Sequence, residues 1–555
     1  MVMPVARWDA VPYQRINAGE TLNISVVAFS KNDIASVVFT ITGQGYSGTS
    51  PVTVTEMTYN EQTDVYEYWT PIDGDDFATD GAFTISAEVT SDDSDTENSR
   101  SLSALTFNAN PNGTLAQSTA WVSLTGNDST GTLDDRDLPY LTVGGAIADI
   151  QTANSGSSDG AIIYLFEGAH TLGTGTISTT NEWLTLKKDS AAKRCNTIID
   201  GGGAITVTTL IKCDSVTVRS NGSLQYVFTA NPTNLWIHAC HSLGAGRWVG
   251  NGDGGASPII AIPNTFYTDT YISDTDRGIM GQKGAGLARN VTVEHIGEDV
   301  AQNCVCLINI RANDMDPGTT TYWHADGYQS WGDGPDNRII YNYYGTDLHY
   351  QGLFMRATLS AGENNAFVNI FMEMREPGRL NQAGGDISLT NGTIYGPWTH
   401  TLLWHCTFPT GFSINNEDIG TDFTNVSFIG NVYNNYRDNT GSTGVEDARF
   451  LPENAGDNEC LYNHYYDAYT DRVNCGGNPQ PDGCPHWWTK SPDSGDPATE
   501  SIALDVINIA TPTGEAFGRP VAESIIIDRI PYATIPADVF GAVRGSTPCL
   551  GAMET

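Results

Sequence analysis

The first 112 residues alternate between apolar and polar positions in short runs. "ETLNISVVAFS", "IASVVFTITG", "PVTVTEMTY", "VYEYWTPI" and "AFTISAEVTS" are separated by turn-rich stretches such as "DGDD" and "TDGA". A period of two is that of a strand with one face buried. Several such strands at close spacing predict a small β-sandwich over residues 1–112. "NANPNGTLAQST" reads as the linker that follows it.

Beyond residue 118 the pattern changes. Short β-branched and aromatic runs recur with Asn, Gly and Asp between them: "NTIIDG", "VTVRSN", "LWIHAC", "TYISDTD", "VTVEHIG", "CLINIRA", "RIIYNYY", "AFVNIFM", "LLWHCTF" and "VSFIGNVYNN". Between Ile198 and Ser427 they start roughly every 25 residues, a repeat length that stacks as a solenoid. Strands and turns without helical periodicity predict a parallel β-helix over 118–555, with turns stacked at about 4.8 Å. "PYLTVGGAIADIQTA" is the one good helix candidate. A helix there would cover the open edge of the first turn, which would otherwise recruit foreign strands. The Trp-, Tyr- and Cys-rich C-terminal region is expected to cover the other end or one flank.

"WVSLTGNDSTGTLDDRDLPYLTVGGAIADI" followed by "DGAIIYLFEGAHTL" resembles the opening of right-handed parallel β-helix proteins of the pectate-lyase-like superfamily. There a strand and a Gly-Asn-Asp turn lead into a capping helix, and a strand with a Gly-containing turn comes next. "IPADVFGAVRGSTPCLGAMET" is similar to their usual exit. The resemblance covers about residues 118–555. It implies an all-β fold, a right-handed parallel β-helix, and a polysaccharide lyase, glycoside hydrolase, epimerase or phage tailspike as the functional class. The N-terminal sandwich resembles an immunoglobulin-like module, which spaces, anchors or binds.

The charge balance narrows the partners. The chain has 65 acidic and 27 basic residues, a formal net charge of −38. That field opposes nucleic acid, and no basic stripe offsets it. It suits a saline habitat and attracts divalent cations. No apolar run is long enough for a membrane-spanning helix. "MVMPVARWDAVPYQ" has no charged start followed by an apolar stretch. A secreted or cell-surface protein without its leader is expected, with a phage particle as the alternative. The ten cysteines contain no CxxC pair. Cys304 and Cys306 are expected on one strand face as buried small hydrophobes. "CGGNPQPDGC", Cys475 to Cys484, could close as a surface disulfide.

Two stretches concentrate candidate chemistry. "WHADGYQSWG" (323–332) and "TDLHYQGLFM" (346–355) each carry His, Asp and Tyr-Gln. Strand alternation would put Asp347, His349 and Gln351 on one face, with His324 and Asp326 together one turn earlier. Gln329 and Gln351 would stack. The expected result is one outward groove. Tyr328, Gln329, Trp331, Asp347, Tyr350, Gln351, Arg379 and His405 would bind sugar, and His324, Asp326, His349, Arg356, Glu373 and Arg375 would carry catalysis. Neighbouring turns add Glu294, His295, Asp299 and His400. A ladder of polar side chains that only satisfies stacked turns is the competing reading.

Three chemistries fit these residue types. Elimination at a uronic acid needs a base and a neutralised carboxylate. The resemblance implies Ca²⁺ held by Asp and Glu, with Lys or Arg as base; the residues themselves offer Asp299 and Asp326 as metal ligands, with His324 and His349 as nitrogen donors to the same ion. Lys283 is the only lysine between Cys213 and Thr489, so Arg356, Arg375, Arg379, His324 or His349 would serve as base. Hydrolysis needs a carboxyl pair about 5–5.5 Å apart for retention or 6.5–9.5 Å for inversion. Asp326, Asp347 and Glu373 are the candidates. "YGTDLHYQG" (344–352) also resembles the Tyr-Gly-x-Asp-Pro-His-Asp motif of alginate epimerases, with Leu348 in place of Pro and Tyr350 in place of the last Asp. Elimination stands slightly ahead of hydrolysis, and a non-catalytic glycan adhesin is the third reading.

Overall fold

The computed structural model describes residues 3–92, 98–115, 117–153, 160–171, 182–201, 210–220, 234–243, 265–275, 286–297, 299–315, 326–330, 337–348, 351–356, 362–374, 398–408 and 427–433, with short pieces between them and, beyond them, chiefly 535–546 and 551–554. At Gln351 and Arg356 the description is of the backbone. His324, Trp331, His349, Tyr350, Arg375, Arg379, Lys283, Cys475 and Cys484 lie outside the described residues.

The N-terminal unit is a two-layer sandwich. Val5–Trp8, Thr21–Phe29, Val65–Asp73 and Thr58–Asn60 form one antiparallel sheet in that order. Arg15–Asn17, Ser99–Asn110, Gly81–Ser91, Ile34–Thr42 and Val52–Val54 form the other. Ile24, Val26, Phe39, Ile72, Phe83, Ile85 and Phe107 fill the space between them. Thr21–Phe29 departs from the alternation expected of it. Its last six residues are all buried, because Val26 and Ala28 face the sandwich core while Val27 and Phe29 face the solenoid.

The rest is a parallel β-helix. Ser118–Val122 pairs in parallel with Ala161–Leu165, and a single long sheet continues from there to Trp487–Thr489. The predicted cap is present as the helix Val143–Ala153, the one α-helix among the described residues. It buries Val143, Ala146, Ile147 and Ile150 in the core beside that first strand pair. Asp128 of the Gly-Asn-Asp turn fixes the helix start, its carboxylate accepting from the N–H of Leu141 and Thr142 at 2.9 Å each.

Successive turns share a corner at which one residue is in the left-handed conformation. Asp269, Asn290, Asn309, Asn342, Asn369 and His405 stack at this corner with φ between 52° and 57°. Asn and Asp adopt this conformation far more readily than other side-chain-bearing residues. Their amides form a ladder. Asn290 donates to Asp269 at 3.0 Å, Asn309 to Asn290 at 3.0 Å, Asn342 to Asn309 at 3.1 Å and Asn369 to Asn342 at 2.9 Å. Arg544 of the C-terminal segment donates to Asn369 at 3.0 Å and so closes the ladder. This segment lies on the flank of the solenoid, whereas most of the Trp-, Tyr- and Cys-rich region expected to cover an end or a flank lies outside the described residues.

The corner separates two faces of the solenoid, and a seven-stranded sheet makes a third. On the first face, Trp236, Leu287, Cys306, Ile308, Ile339, Tyr341, Val368, Leu402 and Trp404 point outward yet are buried, because the sandwich lies on them. Val5, Val11, Val27, Phe29 and Val65 fill the joint from the other side. Burying each is worth about 1.5–3 kcal/mol, so the sandwich is fixed to the solenoid rather than tethered. Polar contacts add direction. Asn337 accepts from Ala6 N–H at 2.7 Å, Trp183 donates to Pro12 O at 2.8 Å, and Arg15 pairs with Glu182. Cys304 and Cys306 are both buried, as expected, but they do not share the one face expected of them. Cys304 is in the solenoid interior and Cys306 is in the joint.

Phe29 packs edge-on against Tyr341 at 5.3 Å and against Trp404 at 6.4 Å between ring centroids. Phe29→Ala is expected to lower the unfolding free energy by about 3–5 kcal/mol, read as a lower urea midpoint with Trp fluorescence as the probe.

Candidate functional site

The second face is solvent-facing along much of its length. In strand Leu287–Ile296 after the corner, Val291 and Val293 point inward while Thr292 and Glu294 point out, and the next turns follow in register. One outward row runs His241, Tyr271, Thr292, Arg311, Tyr344 and Phe371. The row beside it carries Ser273, Glu294 and Asn313. A second left-handed corner, with φ of 53–57°, follows at Asp274, His295, Asp314 and Asp347. The groups on this face bind one another. Burial, and then the hydrogen bond that Tyr271 donates to Glu294 at 2.7 Å, push the Tyr271 hydroxyl up to about 12. His295 Nδ1 lies 2.7 Å from Asp314 Oδ2. Thr346 donates to Asn313 at 3.2 Å.

The regular stacking breaks at Asp347. Strands Arg338–Leu348 and Gly362–Met374 are in step up to Gly345 and Met372, then shift before Leu348 and Met374. Two residues, Thr346 and Asp347, therefore oppose the single residue Glu373. A bulge of this kind re-aims the side chains beside it. Here it turns the Asp347 N–H toward Glu373 Oε2 at 3.0 Å. Burial pushes the Glu373 carboxyl up to about 7, and the nearby Asp347 charge adds to this against the opposing backbone hydrogen bond. A carboxyl that holds its proton near neutrality thus sits beside a second carboxyl on an outward face.

The C-terminal segment walls one side. Phe540 lies over Tyr344 at 4.9 Å, with the Arg311 and Arg519 guanidinium groups 5.2 and 5.3 Å from its ring. Burial lowers Arg311 to about 10, and its Nη2 donates to Val539 O at 2.7 Å. Sequence reasoning missed Arg311, Tyr344 and Phe540. Strand parity placed Arg311 and Tyr344 outward, but nothing local pointed to the distant segment that covers them.

Among the described residues, those expected to line an outward groove around 326–351 do not converge on one outer face. Asp347 ends one sheet, and Gln351 begins a strand of the third face, so the two do not share a strand face. Asp326, not Gln329, pairs with Gln351; Gln329 pairs with Phe354 on one side and Gln302 on the other. Tyr328 is no sugar platform. Its ring is fully buried in the solenoid core and its hydroxyl donates to Cys304 O at 2.9 Å. Asp326 is fully buried and accepts from Gln329 Nε2 at 2.9 Å. Its N–H donates to Asp299 Oδ1 at 3.1 Å, so these two do meet on adjacent turns. Among the described residues no three His, Cys, Asp or Glu side chains converge as a metal site. His405 is not at a surface either. It occupies a corner, fully buried, and burial with the Arg544 charge holds it well below the usual histidine range. His400 is likewise buried, lowered to about 3, and bonded to Asn364 at 2.9 Å.

Asp347→Asn is expected to lower the midpoint of Glu373 yet leave it above the ordinary carboxylate range, because burial is the larger cause. Infrared titration of the protonated carboxyl checks this. A folded-state value raised from about 4.3 to about 7 contributes stability that is complete below the unfolded value and is lost as pH rises through the folded one. Glu373→Gln should therefore gain stability relative to the parent chain between those two pH values, read from urea midpoints at each end.

No family model matches the chain, and neither a curated protein nor a solved structure matches it, so the site's own geometry carries the functional argument.

Proposed function

We propose that this protein is a carbohydrate-active enzyme that cleaves a polysaccharide on the second face of the solenoid, with Glu373 as general acid and Asp347 as its partner carboxylate. The observation that carries this reading is the raised Glu373 carboxyl held against Asp347 at the bulge. Glycoside hydrolysis asks for one carboxyl that keeps its proton and a second that is ionised. The long outward face would hold an extended chain, with Tyr271 as a flat surface along it. Hydrolysis is preferred to elimination on this basis, since Glu373 and Asp347 supply an acid and a carboxylate without a base of high pKa. The sandwich would serve as an immunoglobulin-like scaffold rather than as a glycan-binding module, because the face it shares with the solenoid is filled. A secreted or cell-surface location goes with such a substrate.

The test is a panel of neutral and acidic polysaccharides with mass analysis of the products. Hydrolysis adds water; elimination leaves an unsaturated sugar that absorbs in the near ultraviolet. Glu373→Gln and Asp347→Asn should each lower kcat by roughly 10²–10⁴-fold. The rate should fall as pH rises through about 7, where Glu373 loses its proton. Full turnover in both variants would place catalysis elsewhere. Tight binding with no cleavage of any polymer would replace the enzyme by a glycan adhesin.

A further inference from the structure

Asp9 and Glu67 are withdrawn from solvent at the joint between sandwich and solenoid. Asp9 follows strand Val5–Trp8, and Glu67 stands on Val65–Asp73. Both meet Arg289 of the solenoid strand Leu287–Ile296. Arg289 Nη1 donates to Asp9 Oδ1 at 2.7 Å. Glu67 Oε1 accepts from Asn60 Nδ2 at 2.8 Å and from Thr63 Oγ1 at 2.5 Å. These bonds leave Asp9 Oδ2 and Glu67 Oε2 buried with no donor among the described residues.

The two carboxyls are close enough to share a hydrogen bond. Two ionised carboxyls against one guanidinium would leave a net negative charge in a medium of low dielectric constant, which folded proteins avoid by taking up a proton. One proton on Glu67, donated to Asp9 Oδ2, satisfies both oxygens and balances Arg289. The remaining groups around the cluster do not supply that balance. The Tyr341 hydroxyl and Cys306 thiol stay neutral, pushed up by burial. His238, which feels Arg289, is held down by burial and by Lys212. Asp269 adds a further negative charge that acts on Arg289, while Arg7 acts on the Cys306 thiol and Tyr66 on the Tyr341 hydroxyl.

We propose that the sandwich is clamped to the solenoid by a carboxylic acid–carboxylate pair, Glu67 and Asp9, set against Arg289, and that loss of its one proton releases the clamp. Burial first, and then the Asp9 charge, raise Glu67 well above the ordinary carboxylate range. A raised folded-state value contributes docking stability that is complete at acid pH and is lost as pH rises through that value. Between the ordinary carboxylate value and the raised one, docking weakens by up to about tenfold per pH unit, and above the raised value the loss is complete. The neighbouring anchors, Asn290 to Thr63 O and Asn309 to Asp64 O at 2.8 Å each, hang on the same stretch of the sandwich and would loosen with it.

The full chain is followed from about pH 6 to about pH 10 by Trp fluorescence and small-angle scattering, with Glu67→Gln as the control for the tyrosines and lysines that begin to titrate at the upper end. Trp183, Trp236 and Trp404 lie in the joint and report its opening. The wild-type chain should redden and expand as pH rises. Glu67→Gln should stay docked throughout, since its amide can donate to Asp9 at any pH. A second reading needs no substitution at Glu67. In a Glu373→Gln background, infrared spectra should show a protonated carboxyl that disappears over the pH range in which the joint opens. A flat wild-type profile to about pH 10, a profile that Glu67→Gln shares, or no such carboxyl at neutral pH would each overturn the proposal.

Discussion

The fold depends on a left-handed residue that recurs at the same corner of successive turns. A chain that bends at Asn290, Asn309, Asn342 and Asn369 can start a new strand without losing its register. A side chain at that corner must tolerate positive φ and must also do something with its polar group. The amide ladder answers both demands, because each side chain donates to the one below and accepts from the one above. Removing polar partners from a buried stack is costly, so the ladder fixes which residues lie before the corner and which lie after it. Every statement about faces follows from that count.

The two faces then take different fates. The one before the corner is apolar and aromatic on its outer side, and the sandwich covers it. The one after the corner keeps Tyr271, Glu294, His295, Asp314, Asp347 and Glu373 in partial contact with water. The second face is therefore the one left open for the polymer proposed above. The sandwich limits where function can sit, and its own strand Thr21–Phe29 is buried on both sides for the same reason.

Two pairs of carboxyls show how position decides chemistry. Glu67 and Asp9 share a dry joint with Arg289, and their charge balance is structural. Glu373 and Asp347 share a bulge on an open face, where a raised carboxyl can meet a substrate. Burial raises Glu67 and Glu373 alike. Only access to solvent separates a clamp from a candidate acid.

Sequence alone determined the repeat, the strand character of each turn, the capping helix and the separate sandwich, because these rest on short-range periodicity and turn chemistry. It also drew Asp347 and Glu373 into the candidate set. It could not tell that Asp347 marks a corner, since His, Asp and Asn recur both at sites of chemistry and wherever the backbone must turn left-handed. It read Tyr328 and Asp326 as surface groups, because parity gives alternation but not which side is inside. It missed the Glu67–Asp9–Arg289 cluster, whose members lie 222 or more residues from Arg289 in the chain and meet only when the sandwich docks. Tertiary structure decided those points, because inside and outside are set by what packs against a strand, and here the packing partner comes from the far end of the sequence.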